Sequence, residues 1–131
     1  MSLNALEPKK QVAYFTYDFD KHGGAVGAIS VQGDGIPAGA IITSGVVHVK
    51  TACTSGGSAT VSIGIATAAD MLAATAVASL TANALLDVVP DGTATNMVRL
   101  TSADNTAIFT VATAALTAGK IVLAVEYFVT D

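Results

Sequence analysis

The sequence predicts an all-β protein, specifically an eight-stranded jelly-roll β-sandwich with one short helix, on the strength of three observations. Short apolar segments recur between glycine, aspartate, asparagine and proline residues, and several alternate apolar with polar side chains. A chain of 131 residues suits a single hydrophobic core. Six of the seven Phe and Tyr residues lie in the first and last predicted strands, which are sheet neighbours in a jelly roll.

The first two strands are predicted over residues 11–19 and 25–32. In the first, Ala13, Phe15 and Tyr17 share one face of the strand, because side chains repeat at a period of two residues. The Gly-Gly pair at 23–24 supplies the turn into the second strand, since glycine adopts turn conformations without steric cost.

The third and fourth strands are predicted over residues 40–52 and 60–65. The third follows residues 33–39, which are rich in glycine and contain Pro37 and therefore predict turns. Gly45 at its centre predicts a bulge or bend. The fourth has the clearest alternation in the chain, with Val61, Ile63 and Ile65 facing one way, so one of its faces is predicted to be core.

The short helix is predicted over residues 68–74, within an alanine-rich stretch. Thr67 precedes Asp70 by three residues, which is the spacing of a helix capping box. The last four strands are predicted over residues 84–89, 96–101, 106–112 and 120–130, with turn residues between them.

The aromatic residues favour the jelly roll over its nearest alternative, an up-and-down barrel. If the first and last strands are neighbours, their aromatic side chains are expected to form cross-strand pairs, each giving roughly 0.5 to 1.5 kcal/mol beyond area burial. The six residues concerned are Tyr14, Phe15, Tyr17, Phe19, Tyr127 and Phe128.

The composition excludes several classes of protein. With 52% hydrophobic and 12% charged residues the chain is not a disordered charged segment. A net charge of -4 leaves no basic stripe to neutralise phosphates, so we expect no nucleic-acid partner. No secretory signal precedes the first strand, and the uncharged run of mostly Ala and Thr near the middle, residues 71–86, is too short and too weakly apolar to span a bilayer, so we expect no membrane association. The lone Cys53 is interpreted as a small buried apolar residue.

Candidate chemistry is sparse, and we predict no enzyme, no catalytic residue and no cofactor. If residues 18–22 stay extended, Asp18, Asp20 and His22 share one face and could hold a divalent metal ion. The favoured interpretation is that these side chains are solvated at a strand end, so no metal site is predicted. Arg99, the only arginine, is either an interface anchor or the partner of Glu126 in an ion pair within the sheet.

The low charge has a physical consequence for assembly. Sheet faces made of Thr, Ser, Ala and Gly leave strand edges with few charged residues to prevent aggregation. Burial between subunits removes that hazard, so we predict a homo-oligomer, most simply a homotrimer, whose interface uses the Ala/Thr/Val faces.

Three segments resemble small structural proteins of tailed-phage virions. They are Ile36-Pro37-Ala38-Gly39-Ala40-Ile41-Ile42, Gly57-Ser58-Ala59-Thr60-Val61-Ser62-Ile63-Gly64, and Leu116-Thr117-Ala118-Gly119-Lys120-Ile121-Val122 with Val125-Glu126-Tyr127. In particular, the chain resembles jelly-roll capsid cement, decoration or head-fibre proteins over residues 11–130. These are strand-and-turn patterns rather than active-site signatures, so no functional residue is carried over.

The resemblance implies a virion protein made in the bacterial host cytoplasm, a trimer that binds a major capsid protein or another virion protein and stabilises the assembled shell. The same resemblance extends to tail and fibre modules. Residues 1–10, with Pro8 and two lysines, are then expected to form an N-terminal arm beside a single domain of residues 11–131. The alternative function is a tail- or fibre-associated jelly-roll module that binds carbohydrate or a receptor. It would need exposed aromatic side chains, and the chain has no Trp.

Overall fold

The computed structural model describes residues 10–91, 97–100 and 105–129. These residues form nine strands, one four-residue α-helix and a short 3₁₀ helix. The strands are β1 (Gln11–Asp18), β2 (Gly27–Ile36), β3 (Ala40–Ser55), β4 (Thr60–Gly64), β5 (Leu72–Ala76), β6 (Leu85–Val88), β7 (Val98–Arg99), β8 (Asn105–Ala112) and β9 (Leu116–Val129); the helix α1 is Phe19–His22 and the 3₁₀ helix is Val77–Ser79.

The strands form two antiparallel sheets packed as a sandwich. One sheet has the order β1-β9-β3-β6, with the short β7 also paired to β3, and the other has the order β2-β8-β4-β5. The two sheets are joined at a single residue pair, Phe15 with Gly33. β1 pairs with β9 along its whole length, from Gln11 opposite Tyr127 to Asp18 opposite Lys120. The prediction of an all-β jelly roll is therefore confirmed, with nine strands among the described residues instead of the eight predicted, because the short β7 pairs with β3 in addition to the eight strands of the two sheets.

The core lies between the sheets and is built from alternate residues of each strand. Phe15 and Tyr17 of β1, Ile63 of β4 and Leu123 of β9 are at most 1% exposed. Phe109 of β8 reaches across to Tyr17, and their stacked rings lie 5.6 Å apart. Burying one large apolar side chain contributes roughly 1.5 to 3 kcal/mol, so these inner faces hold the sheets together.

The predicted aromatic pairs between the first and last strands are wrong, although the strands themselves are neighbours. The register places Phe15 opposite Leu123, Tyr17 opposite Ile121 and Tyr14 opposite Ala124. Each aromatic residue of β1 therefore has an aliphatic or small residue as its direct partner on β9. The prediction that the first and last strands are neighbours depends only on topology, whereas the prediction of aromatic pairs depends on the register between the two strands.

The predicted helix at residues 68–74 is also wrong, because this segment contains a loop followed by β5. Asp70 is 3% exposed, and its carboxylate accepts hydrogen bonds from the backbone N–H groups of Ile65, Ala66 and Thr67, at 2.8 to 3.1 Å. The carboxylate thus satisfies donors before it in the chain and closes a loop instead of capping a helix. Leu72–Ala76 forms an edge strand that pairs with β4 and is not part of a helix.

Other boundaries shift in smaller ways. β1 ends at Asp18, and the predicted turn at residues 33–39 is partly strand because β2 continues to Ile36. The predicted bulge in the third strand lies between Ile42 and Ser44, just before Gly45, where the β3–β9 register shifts. Parts of two predicted loops and strands, residues 92–96 and 101–104, and nearly all of the predicted arm at residues 1–10, fall outside the described residues.

Candidate interaction surfaces

The residues considered for a metal site do not converge. Residues 19–22 form α1 rather than an extended strand, so the shared face that the hypothesis needed does not exist. The Asp18 carboxylate caps this helix by accepting from the Asp20 N–H at 3.0 Å. The His22 ring stacks on Tyr17, and its Nδ1 lies 3.1 Å from the backbone N and O of Asp18. Among the described residues, no three His, Cys, Asp or Glu side chains form a group that could hold a metal ion.

Two titratable groups lie in the core near α1, and burial holds both in their neutral forms. Cys53 is 5% exposed, which confirms its interpretation as a buried residue, and burial raises its pKa to about 11. Burial, followed by Cys53 and the nearby Asp18, raises the pKa of Tyr17 to about 12. The Tyr17 hydroxyl donates to the carbonyl of Gly23 at 2.6 Å. Both groups are therefore protonated at neutral pH and serve packing.

Arg99 and Glu126 do not lie opposite one another. Arg99 pairs with Ile41 on one side of β3, and Glu126 pairs with Ser44 on the other side of that strand. The Glu126 carboxylate accepts a hydrogen bond from the Ser44 hydroxyl. The alternative of an Arg99–Glu126 ion pair is therefore not supported by the register.

The outer side of the sheet β1-β9-β3-β6 carries exposed apolar side chains on adjacent strands. Adjacent rows of the register read Tyr14–Ala124–Val46–Asp87 and Thr16–Val122–His48–Leu85. Tyr14 is 55%, Val46 36% and Leu85 69% exposed. We call this surface the apolar face and define it by Val12, Tyr14, Val46, Leu85, Val122 and Ala124.

The outer side of the sheet β2-β8-β4-β5 is different. Its rows read Ala28–Thr110–Ser62 and Ser30–Ile108–Gly64, and beside them Ala112 pairs with Thr60. No ionisable side chain belongs to these rows. We call this surface the hydroxyl face and define it by Ala28, Ser30, Thr60, Ser62, Ile108 and Thr110.

The Asp70 loop borders the hydroxyl face. Backbone and side chains of residues 64–68, with Ala28, Ile108 and Thr110, enclose a shallow hollow of about 240 Å³. Ala69 in this loop has a positive φ of 61°, a conformation that is unfavourable for residues other than glycine. The buried Asp70 carboxylate therefore positions the rim of the hollow.

Two further hollows lie elsewhere. One, of about 400 Å³, sits at the α1 end and is lined by residues that include Asp18, Asp20 and Lys120. The other, of about 320 Å³, lies beside the edge strands β5 and β6 and is lined by residues that include Met71, Val89 and Pro90.

Sequence reasoning missed both faces as separate surfaces, as well as the buried role of Asp70. Alternation separates the two faces of a single strand, but only the register shows which residues of different strands are neighbours. Asp70 resembled a capping residue because its spacing from Thr67 suits both a cap and a closed loop. None of the described helices is long and apolar enough to cross a membrane.

No protein-family model and no curated protein matches the chain. Solved structures do match it over nearly its whole length. A chain of the cyanophage Pam1 capsid asymmetric unit superposes with a TM-score of 0.69 at 21% identity, covering 94% of this chain and 86% of that one. A chain of an acidic stable capsid structure of Helicobacter pylori bacteriophage KHP30 gives 0.62 at 18% identity, covering 95% of both chains.

A chain from the capsid of Ralstonia phage GP4 gives a TM-score of 0.54 at 14% identity, covering 95% of this chain and 85% of that one. At these identities the likeness establishes a shared fold. That fold occurs in the capsid structures of three phages with different hosts.

Proposed function

We propose that this chain is a non-enzymatic structural protein of a phage virion, and within that class a homotrimeric cement or decoration protein that binds and stabilises the assembled capsid. The observation that carries the proposal is the likeness, over 94 to 95% of the chain, to chains from three phage capsid structures. The matches also cover 85 to 95% of the neighbours' own chains.

The two outer faces support a role in protein contact. A cement protein acts through extended surfaces that touch other subunits rather than through a cleft. Both faces are broad and uninterrupted by helices, and the rows of the hydroxyl face contain no ionisable side chain. Covering the hydroxyl face therefore desolvates no charge.

The stabilising mechanism is linkage. A protein that binds only the assembled shell shifts the equilibrium toward assembly by RT ln(1 + [L]/Kd), about 2.7 kcal/mol per site when the free concentration is 100 times Kd. Many copies on one particle would multiply that effect. The partner is a major capsid protein or another virion protein, and the N-terminal arm of residues 1–10 is proposed to contribute to this contact.

The test uses the virions of the phage that encodes the chain. Mass spectrometry and cryo-electron microscopy of purified particles are expected to show many copies on the capsid surface. Particles from a phage lacking the gene are expected to lose their DNA at lower temperature, and added purified protein is expected to restore the loss temperature. Absence of the chain from virions, or particles equally heat-resistant without it, would contradict the proposal.

The arm is tested separately with a chain that lacks residues 1–10. We expect this chain to keep its oligomeric state and to bind gene-deleted particles more weakly than the full chain. Equal occupancy on particles would remove the arm from the proposal and leave the domain as the binding element.

One observation favours the alternative of carbohydrate or receptor binding. Tyr14 is 55% exposed, so one aromatic ring is available to stack on a sugar ring. A glycan array with the wild-type chain and Tyr14→Ala distinguishes the two functions. Binding that disappears in Tyr14→Ala would favour the alternative.

A further inference from the structure

Exposed apolar side chains lie on adjacent strands of the apolar face. Tyr14, Ala124 and Val46 lie side by side across β1, β9 and β3, and in the next row Val122 and Leu85 lie on either side of His48. Four strands at about 4.8 Å and six residues at about 3.3 Å give a flat footprint of about 19 by 20 Å, which includes these apolar positions and the polar ones between them. The largest apolar patch on a typical monomer covers about 300 to 600 Å² and is often functional.

We infer that the apolar face is the surface through which copies of this chain bind one another, an inference that rests on the proposed function for its setting. The area of the apolar face is large enough for contact with a second copy. The flat footprint understates the accessible area, because side chains stand up from the sheet. It still amounts to about half of the roughly 800 Å² that one partner contributes to a standard interface.

The apolar face is exposed to water from the moment the chain folds. An uncovered face with Tyr14 and Leu85 more than half exposed promotes aggregation as soon as the chain folds. A capsid is encountered only after it has assembled, whereas other copies are present throughout synthesis. A second copy is therefore the partner that can cover this face in time.

Ionisable residues of both signs lie within and beside the apolar face. Its rows contain Glu126, Asp87 and His48. Lys120 lies beyond Val122 on β9, and Arg99 lies at the opposite end on β7. Because the surface carries both signs, a second copy can present bases to these acids. A face with acids alone would repel its own copy.

The geometry of the sandwich prevents the apolar face and the hydroxyl face from serving the same closed assembly. A closed ring needs two contact patches on neighbouring sides of each subunit, whereas patches on opposite sides generate an open stack. The apolar and hydroxyl faces point in opposite directions, so they cannot both carry the contacts of a closed trimer. The hydroxyl face remains available after the copies have associated.

The test places one lysine at the centre of each face. Val46→Lys alters the apolar face, and Thr110→Lys is the matched control at the centre of the hydroxyl face. Leu85→Lys is a second apolar-face variant, and at 69% exposure it should not disturb folding of the subunit. Sedimentation velocity at micromolar concentration reports oligomeric state, and circular dichroism reports folding.

We expect the wild-type chain and Thr110→Lys to remain oligomeric, and both apolar-face variants to associate about 10-fold more weakly or worse. If Val46→Lys does not fold, Leu85→Lys decides. A monomeric wild-type chain, or dissociation by Thr110→Lys but not by Leu85→Lys, would overturn the inference.

Occupancy on virions separates this inference from the proposed function. A monomeric chain found on capsids would refute the apolar-face interface and leave the proposed function intact. An oligomer that Leu85→Lys dissociates, but that is absent from virions, would support the apolar-face interface and refute the proposed function.

Discussion

The apolar face and the hydroxyl face are built on the same framework, four antiparallel strands packed over one core, yet they differ in what they present to water. The apolar face exposes Tyr14, Val46 and Leu85 on adjacent strands. The hydroxyl face presents serine and threonine with a single large apolar residue, Ile108, which is 38% exposed. Hydroxyl groups exchange hydrogen bonds with water, so the hydroxyl face is compatible with solvent and the apolar face needs a cover.

The difference teaches that the low charge of the chain is not spread evenly over its two outer faces. The rows of the hydroxyl face contain no ionisable side chain, whereas the rows of the apolar face combine large apolar side chains with Asp87, Glu126 and His48. The expected interface of Ala/Thr/Val faces is thereby divided into two surfaces with different requirements.

The largest expected effect comes from Asp70→Ala, since a buried carboxylate holds the loop beside the hydroxyl face and the apolar face has no counterpart among the described residues. The change removes the acceptor for the N–H groups of Ile65, Ala66 and Thr67. Ile65 is buried, so its donor cannot turn to water. We expect the free energy of unfolding to fall by about 3 kcal/mol, measured by urea denaturation.

Asp87→Ala is the matched control, because Asp87 is an exposed carboxylate on the apolar face. It is expected to change stability by about 0.5 kcal/mol or less. Equal losses in the two variants would show that Asp70 is not a special anchor.

The next effect concerns one glycine on each side. A Cβ at Gly45, in β3, would lie 2.4 Å from the carbonyl oxygen of Ala124, and a Cβ at Gly64, in β4, would lie 2.2 Å from that of Thr67. Both clashes are with backbone, so the chain must move. We expect Gly45→Ala and Gly64→Ala each to lower the free energy of unfolding by about 2 kcal/mol.

Gly56→Ala serves as the control, because a Cβ there meets no atom within 4 Å. Its expected change is about 0.5 kcal/mol or less in either direction. Similar losses at positions 45 and 64 would confine the difference between the faces to side-chain chemistry. A tolerated alanine at either position would mean that the strand pairing there is looser than described.

Most of the fold could be predicted from the sequence because alternating apolar and polar residues distinguish the buried face of a strand from the other face. The alternation of Val61, Ile63 and Ile65 identified core positions, and the aromatic clusters at both ends identified β1 and β9 as neighbours. Local pattern failed where distant contacts decide conformation. Leu72–Ala76 has the composition of a helix and becomes a strand because β4 offers it an edge.

The candidate surfaces were harder to predict. The sequence places Tyr14 on the opposite strand face from Phe15 and Tyr17, but it does not show that Ala124 and Val46 lie beside Tyr14. That information resides in the register, which bulges such as the one between Ile42 and Ser44 change by one residue. The same limit explains why the aromatic pairs were wrong although their strands were right.

A third test measures how the stability of the chain depends on two buried groups at high pH. Tyr17 and Cys53 lie on the inner side of the sheet that carries the apolar face, and burial raises their pKa values to about 12 and about 11, from 10.0 and 9.0. The unfolded chain therefore releases these protons at lower pH than the folded chain. Stability is fully present below about pH 9 and is lost as the pH rises toward 12.

Urea denaturation between pH 8 and about 11 measures this loss, and Cys53→Ala is the matched variant. Removing the thiol is expected to lower stability at pH 8 and to flatten the decline that begins near pH 9. An unchanged pH profile in Cys53→Ala would assign the whole decline to Tyr17 or to other groups.

The smallest expected effect is a gain, at the bulge of β3. Among the described side chains, the Thr43 hydroxyl oxygen is the buried polar atom without a hydrogen-bond partner. Thr43→Val keeps the shape of the side chain and removes this unsatisfied group, so stability is expected to rise by about 0.5 to 1 kcal/mol. Thr110→Val on the hydroxyl face is the control, because Thr110 is partly exposed and its hydroxyl can bind water. We expect almost no change there, and a loss of stability in Thr43→Val would mean that its hydroxyl has a partner when the chain is assembled.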